Sequence, residues 1–133
     1  MLAGVQKASA QIVDPMEFTT SFPFTVGYAT VPAGSYTIRP DDDDPAMFEI
    51  TGRHGSVLFQ THDAEARRTP SKSEIVFKRY GDGYVLKDIW EAGSMSGAEA
   101  VAVEGERHLA KSHDSTGEEH VATRKKSKAS TAR

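Results

Sequence analysis

Glu74-Ile75-Val76-Phe77-Lys78-Arg79-Tyr80-Gly81-Asp82-Gly83-Tyr84-Val85-Leu86-Lys87-Asp88-Ile89-Trp90 is the stretch on which the reading of the fold turns. Two runs rich in β-branched and aromatic residues flank Gly-Asp-Gly, and glycine supplies the positive φ that a tight reversal demands, so the stretch predicts a β-hairpin. A two-residue Asp82-Gly83 loop would set Lys78 against Lys87, a like-charge pair that costs stability. A three-residue loop with a bulge at glycine avoids that pair and is the expected register.

Upstream of the hairpin the apolar residues recur at every second position, as a half-buried strand requires. Met16/Phe18 is the first pair, and Phe22/Phe24/Val26 the next, with Pro23 assigning that strand to an edge because proline cannot donate to a ladder. Gly27 to Val31 reads as a turn. Tyr36/Ile38 then form a strand with Ser35, Thr37 and Arg39 facing water, ended by Pro40, and Asp41 to Asp44 before Pro45 read as a solvated loop. Phe48/Ile50 and Val57/Phe59 flank Gly52-Arg53-His54-Gly55, a second hairpin signal. His62 to Ser73 is polar and reads as a longer exposed connection.

Downstream, Glu91 to Gly97 reads as a loop, and Ala98 to Lys111, rich in good helix formers, predicts a short C-terminal helix with Val101 and Leu109 near one side. From Ser112 onward no periodicity survives, which predicts a charged flexible tail. The fold class expected is mainly β, an antiparallel meander forming a small barrel or sandwich, with one C-terminal helix and a flexible tail. Residues 1–15 read as an N-terminal extension or signal-peptide remnant, 16–111 as the β domain with its helix, and 112–133 as the tail.

The bulk numbers fit one ordinary domain: 133 residues, 38% hydrophobic and 26% charged. From Ser112 to Arg133 there are five Lys/Arg against three Asp/Glu, a charge of +2, which leaves −5 for the preceding 111 residues if the total is to be −3. An acidic body lacks the cationic face that a nucleic-acid groove needs. The absence of cysteine excludes disulfides, thiolate zinc sites and cysteine nucleophiles, and no apolar run approaches the ~20 residues needed to cross a bilayer. Ala8-Ser9-Ala10 ahead of Gln11 has the small-x-small form of a signal-peptidase site, although the residues before it are too few and too polar for an apolar h-region.

Phe22-Pro23-Phe24-Thr25-Val26-Gly27, Val31-Pro32-Ala33-Gly34-Ser35-Tyr36-Thr37-Ile38, Phe77 through Leu86, Ile89-Trp90 and Glu106-Arg107 occur in an order that resembles a pattern recurrent in small exported proteins of soil bacteria. Members resembling it begin with a full signal peptide and often carry Leu before Pro-Ala-Gly, where this chain has Val31. The resemblance covers about Phe18 to Lys111. It implies an exported, extracytoplasmic β domain and transfers no catalytic, cofactor-binding or metal-binding residue.

Several groups of residues suggest chemistry, and each has a plainer explanation. The carboxylates Asp41 to Asp44 suit calcium, but counting Asp41 as the first loop position puts Ala46 where the sharp turn needs glycine and Gly52 where the bidentate Glu belongs, which leaves a solvated loop. His54 and His62 sit at opposite ends of one predicted strand, roughly 25 Å apart at ~3.3 Å per residue, too far to share an ion. His108, His113 and His120 fall on the helix end and tail as surface histidines. Gly93-Ser94-Met95-Ser96-Gly97 does not centre a serine between glycines as a nucleophile elbow does. Glu17, Glu49, Glu74 and Asp88 offer carboxylates for acid–base work, yet no spacing selects a pair.

The aromatics Phe22, Phe24, Tyr36, Phe48, Phe59, Phe77 and Trp90 either fill the core or line a cavity for one apolar molecule. Tyr80 and Tyr84, flanking a turn, read as exposed. Arg124-Lys125-Lys126-Ser127-Lys128 reads as a solubilising tail able to touch an anionic partner. No catalytic set emerges, so the leading expectation is a non-enzymatic extracytoplasmic β domain acting by surface binding of a protein partner or by self-association. A carrier of a small apolar ligand is the alternative.

Overall fold

The computed structural model describes residues 14–101 and 115–125. They form eleven strands: β1 (Met16–Thr20), β2 (Phe24–Val26), β3 (Ala29–Val31), β4 (Gly34–Pro40), β5 (Met47–Gly52), β6 (Gly55–Glu65), β7 (Glu74–Tyr80), β8 (Gly83–Trp90), β9 (Ser96–Ala100), β10 (Ser115–Ala122) and β11 (Arg124–Lys125). Hydrogen bonding follows the order β10-β7-β8-β9-β6-β5-β4-β1-β11, with the β2–β3 hairpin attached to β8. All pairings are antiparallel except that of Thr25 in β2 with Val85 in β8.

The long β6 joins two walls, because Gly55 to Gln60 pair with β5 while Thr61 to Glu65 pair with β9. One wall is β11-β1-β4-β5 and the other β9-β8-β7-β10. Met16, Phe18, Ile38, Phe48 and Ile50 from the first meet Ile75, Phe77, Leu86, Ile89 and Ala98 from the second in a single core. The dyadic apolar rhythm of the sequence becomes this shared interior, since alternate side chains of a strand point to one face. The arrangement is sandwich-like. The ladder does not close into a barrel: it ends at β10 on one side and β11 on the other, two strands separated only by Thr123.

The hairpin forms where expected, in a different register. Tyr80 pairs with Gly83 across a two-residue Gly81-Asp82 loop, with Gly81 at φ 61°. Lys78 therefore faces Val85, and the extra residue is taken up at Lys87, between Leu86 opposite Phe77 and Asp88 opposite Val76. The bulge lies far from the turn because only there does it keep both Phe77/Leu86 and Ile75/Ile89 turned into the core. The second hairpin closes as read, with Gly52 opposite Gly55.

Four further expectations are corrected. Ala98 to Ala100 belong to β9 and not to a helix; Ala98 and Ala100 are buried, and their small side chains suit the narrow space against Thr61 and Ile89. The remainder of the predicted helix, from residue 102, lies outside the described residues. The expected flexible tail contributes β10 and β11, which backbone pairing holds in place with little apolar burial, so no period-2 apolar signal marks them. Gly27 to Val31 is a turn only at Gly27-Tyr28, after which Ala29–Val31 pairs back on β2. The exposed connection begins at Ala66 and not His62, because β9 supplies His62 to Glu65 with partners.

Candidate functional site

The outward face of the first wall carries a concave surface. Apart from Thr20, the buried inward positions of β1, β4 and β5 are apolar, so Glu17, Thr19, Ser35, Thr37 and Thr51 point the other way. Register aligns them: Arg124 pairs with Glu17, Glu17 with Thr37, Thr37 with Thr51 and Thr51 with Ser56, one row across β11, β1, β4, β5 and β6. Thr51 Oγ1 lies 3.0 Å from Ser56 Oγ, and Thr19 Oγ1 lies 2.9 Å from Ser35 Oγ. Each hydroxyl has one donor and two acceptor sites, so these pairs leave capacity for a ligand. At one end Arg124 Nε meets Glu17 Oε1 at 3.5 Å.

Three hollows lie on this face and at its rim, where Val31, Tyr36, Ile50 and Val57 turn inward. The largest, about 840 Å³, lies over Glu17, Thr19, Thr37, Thr51 and Thr123–Arg124. One of about 330 Å³ separates the Ala33-Gly34-Ser35 turn from Arg53 and His54, and one of about 150 Å³ lies between Val31-Pro32 and the start of β6. Ser35 and Tyr36 line the first two, and Tyr36 and His54 the last two; the first, over the outward hydroxyls, is the cleft of this wall. Tyr36 fixes the turn beside it: its hydroxyl donates to the Pro32 carbonyl and its ring lies across Gly52, where a Cβ would overlap it. Burial raises the Tyr36 phenol above its ordinary pKa.

The second wall carries a cross-strand row that brings charged and imidazole side chains together around Val76. His120, Val76, Asp88, Glu99 and His62 are successive cross-strand neighbours from β10 to β6. Burial first, and the Glu99 charge second, push the Asp88 carboxyl up to about 6. Lys87 Nζ lies 3.5 Å from Glu99 and offsets part of its charge, and His62 Nε2 lies 3.7 Å from the same carboxylate. His120 Nδ1 lies 2.9 Å from Glu74 Oε2 and its Nε2 3.3 Å from Glu118 Oε1; the Glu74 hydrogen bond raises its pKa. Glu99 escaped the sequence reading because it sat in a predicted helix, where it has no cross-strand partner.

The other sequence candidates disperse. Asp41 and Asp44 accept from the backbone N–H groups of Asp43 and Ala46, and Asp42 lies 3.7 Å from Arg39, so the acidic loop is held by its own turns. Glu49 pairs with Arg39 at 3.2 Å. His54 and His62 are apart, at the hairpin tip and against Glu99; among the described residues no three His, Cys, Asp or Glu side chains gather as a metal site. His108 and His113 lie outside the described residues. Ser94 Oγ accepts from Ser96 N and donates to Ser96 O, capping the β8–β9 turn.

Phe24, Phe48, Phe59 and Phe77 are buried, while Phe22 and Tyr36 pack on the core from its rim. Trp90 lies on the outward side of β8 over Gly97 and does not join that core. Tyr80, expected to be exposed, is buried at 7%, and Tyr84 stacks on Phe22 at 4.0 Å, because both strands of the hairpin are covered to its tip. From the basic run, Arg124 and Lys125 sit in β11 paired with Glu17 and Asp14, and residues 126–128 lie outside the described residues. Comparison with protein-family models, with curated proteins and with solved structures found no match to the chain, so the geometry alone carries the functional reading.

Proposed function

We propose that this is a non-enzymatic, extracytoplasmic β domain that works by binding a polar partner through the cleft on its β1-β4-β5 wall. The observation that carries this is the hydroxyl row Thr37-Thr51-Ser56, in register across three strands, of which Thr37 and Thr51 line the cleft. Self-association through open sheet edges has less support. The terminal strands are short or charged: β3 has three residues, β11 two, and β10 exposes Glu118 and Glu119, features that discourage edge pairing. The carrier alternative needs the aromatics to surround a void, whereas Phe18, Phe24 and Phe77 pack on one another with ring centroids 5.0–6.4 Å apart.

Amide chemical-shift mapping of the whole chain against a panel of soluble polar polymers tests the reading. Shifts concentrated at Glu17, Thr19, Thr37 and Thr51 are expected for a binder. Shifts confined to the β7–β8–β9 wall for every binder would move the site elsewhere.

A further inference from the structure

We infer that the cleft takes an extended cationic peptide of a partner protein, inserted as a strand between β1 and β10 where the ladder fails to close; this rests on the cleft being the binding surface and names its occupant. In an antiparallel pair the backbone groups of successive residues point to opposite edges. Asp41 N bonds Met47 O, which turns Thr37 and Arg39 of β4 toward β5 and Tyr36 and Ile38 toward β1. Phe18 and Thr20 of β1 therefore bond to β4, and the N–H and C=O of Thr19 point to the other edge, where β11 reaches only Met16 and Glu17. On β10, Thr123 N bonds Ser73 O, so Val121 and Glu119 bond to β7, and the backbone groups of Glu118, His120 and Ala122 point away from it. Neither edge has a strand partner there among the described residues. Phe18 and Thr19 from one edge and Val121 and Ala122 from the other line the same hollow of about 840 Å³. A strand laid in this gap would bond both edges at once, which is the strongest form of strand addition.

Charge selects the occupant. On the β1 side Glu17 is matched by Arg124, 3.5 Å away. On the β10 side Glu118 and Glu119 are both exposed. Glu118 lies 3.3 Å from His120, whereas Glu119 forms no ion pair among the described residues. Glu119 stands opposite Phe77, which is fully buried, so it sits on the core side of its strand and is exposed because no strand pairs beyond β10. A lysine or arginine on an inserted strand would set its charge against this carboxylate while its methylene stem lies along the apolar side of the wall. The same carboxylates repel the β10 edge of a second copy, so the charge that discourages self-pairing favours a strand of opposite sign. The charge of −5 on residues 1–111 acts in the same direction.

The test uses the full chain and three synthetic decapeptides: one alternating lysine and threonine, one alternating glutamate and threonine, and the lysine peptide N-methylated at every second residue, which strips one strand edge of its donors. The lysine peptide is expected to bind about tenfold or more tightly than the glutamate peptide, with affinity falling as salt rises, and N-methylation is expected to weaken it about tenfold. Its binding is expected to slow amide exchange at Thr19 and His120 together, because one strand bonds both edges. E119K, altered at an exposed position, is expected to weaken the lysine peptide and strengthen the glutamate peptide. Equal affinity for the two peptides, or indifference to E119K, overturns the cationic occupant. Slowing at one edge alone, at neither, or equally with the methylated peptide overturns insertion. Thr19 and His120 amides that are already slow in the free chain would show the gap filled by another segment of this chain, and slow only at high protein concentration by a second copy; either overturns the partner peptide. These outcomes leave the cleft as a polar surface, whereas peptide-induced shifts confined to the β7–β8–β9 wall overturn the cleft reading as well.

Discussion

The ring of Tyr36 lies flat across Gly52, so close that a methyl group on Gly52 would overlap two of its carbons. Together with the hydrogen bond from its hydroxyl to Pro32, this contact ties the Pro32-Ala33-Gly34 turn to the tip carrying Arg53 and His54. Substituting Gly52→Ala is therefore expected to cost about 1–3 kcal/mol, as overpacking against a held ring does. Thermal unfolding measures it; an unchanged midpoint would mean the ring is free to swing away. Tyr36→Phe, which keeps the ring and removes only the hydroxyl, is expected to cost about 1 kcal/mol.

Asp88 makes an opposite prediction, a stabilising substitution. Its carboxyl titrates at about 6 in the folded chain against an ordinary value of 3.8, chiefly through burial and then through Glu99. Well below pH 3.8 it is neutral in both states; between 3.8 and about 6 the folded chain holds a proton that the unfolded chain has released, so stability falls as pH rises through this window. Asp88→Asn removes the cost of ionisation. After discounting for partial exposure, the gain expected at pH 7.5 is about 1 kcal/mol, and it vanishes near pH 4. Paired melting curves at those two pH values check it, and a loss of stability at pH 7.5 would contradict it.

His120 ties β10 to β7 through Glu74, and its pKa is raised, first by that hydrogen bond. Protonated imidazolium is the form the folded state favours, so its contribution is complete below pH 6.5 and disappears as pH rises through the folded value. Half exposed, it contributes only about 0.5 kcal/mol. Amide exchange along β10 is expected to quicken in His120→Ala at pH 6 and to match the parent near pH 9. Equal acceleration at both pH values would point to lost packing in place of lost charge.

Gly97 is where Trp90 rests: a Cβ there would run into the indole and the Ile89 carbonyl. Gly97→Val is expected to destabilise by about 2 kcal/mol or more and to lift the indole off the sheet. The chain has a single tryptophan, so its fluorescence reads the movement directly, as a red shift in the folded state. An unshifted spectrum would place Trp90 elsewhere.

Removing residues 115–133 strips β10 from β7 and β11 from β1, leaving the β7 backbone, with the buried Ile75, Val76 and Phe77, as an open edge. Such a chain is expected to bind hydrophobic dye and to aggregate, as long apolar edges do. A truncated chain that stays monomeric and melts at the parental temperature would show these strands to be dispensable.

The strands from β1 to β8, apart from the three-residue β3 that read as a turn, were legible because each buries one face, and burial of alternate residues writes itself into the sequence as Met16/Phe18, Tyr36/Ile38, Phe48/Ile50 or Phe77/Leu86. What burial does not govern was illegible. Strands β10 and β11 are held by backbone pairing with mostly exposed side chains, and β9 carries Ala98, Glu99 and Ala100, residues whose local preference is helical until pairing with β6 and β8 overrides it. Of the hydroxyls at Thr37, Thr51 and Ser56, only Thr37 was read from the sequence as facing water. Register, a long-range property, was needed to set them in one row and to bring Arg53 and His54 beside Ser35. The same holds for Asp88 and Glu99: sequence supplied two carboxylates, and pairing of β8 with β9 made them neighbours whose charges are felt. Periodicity is a local consequence of one buried face, whereas the choice of neighbouring strand belongs to the whole chain, and the site depends on the second.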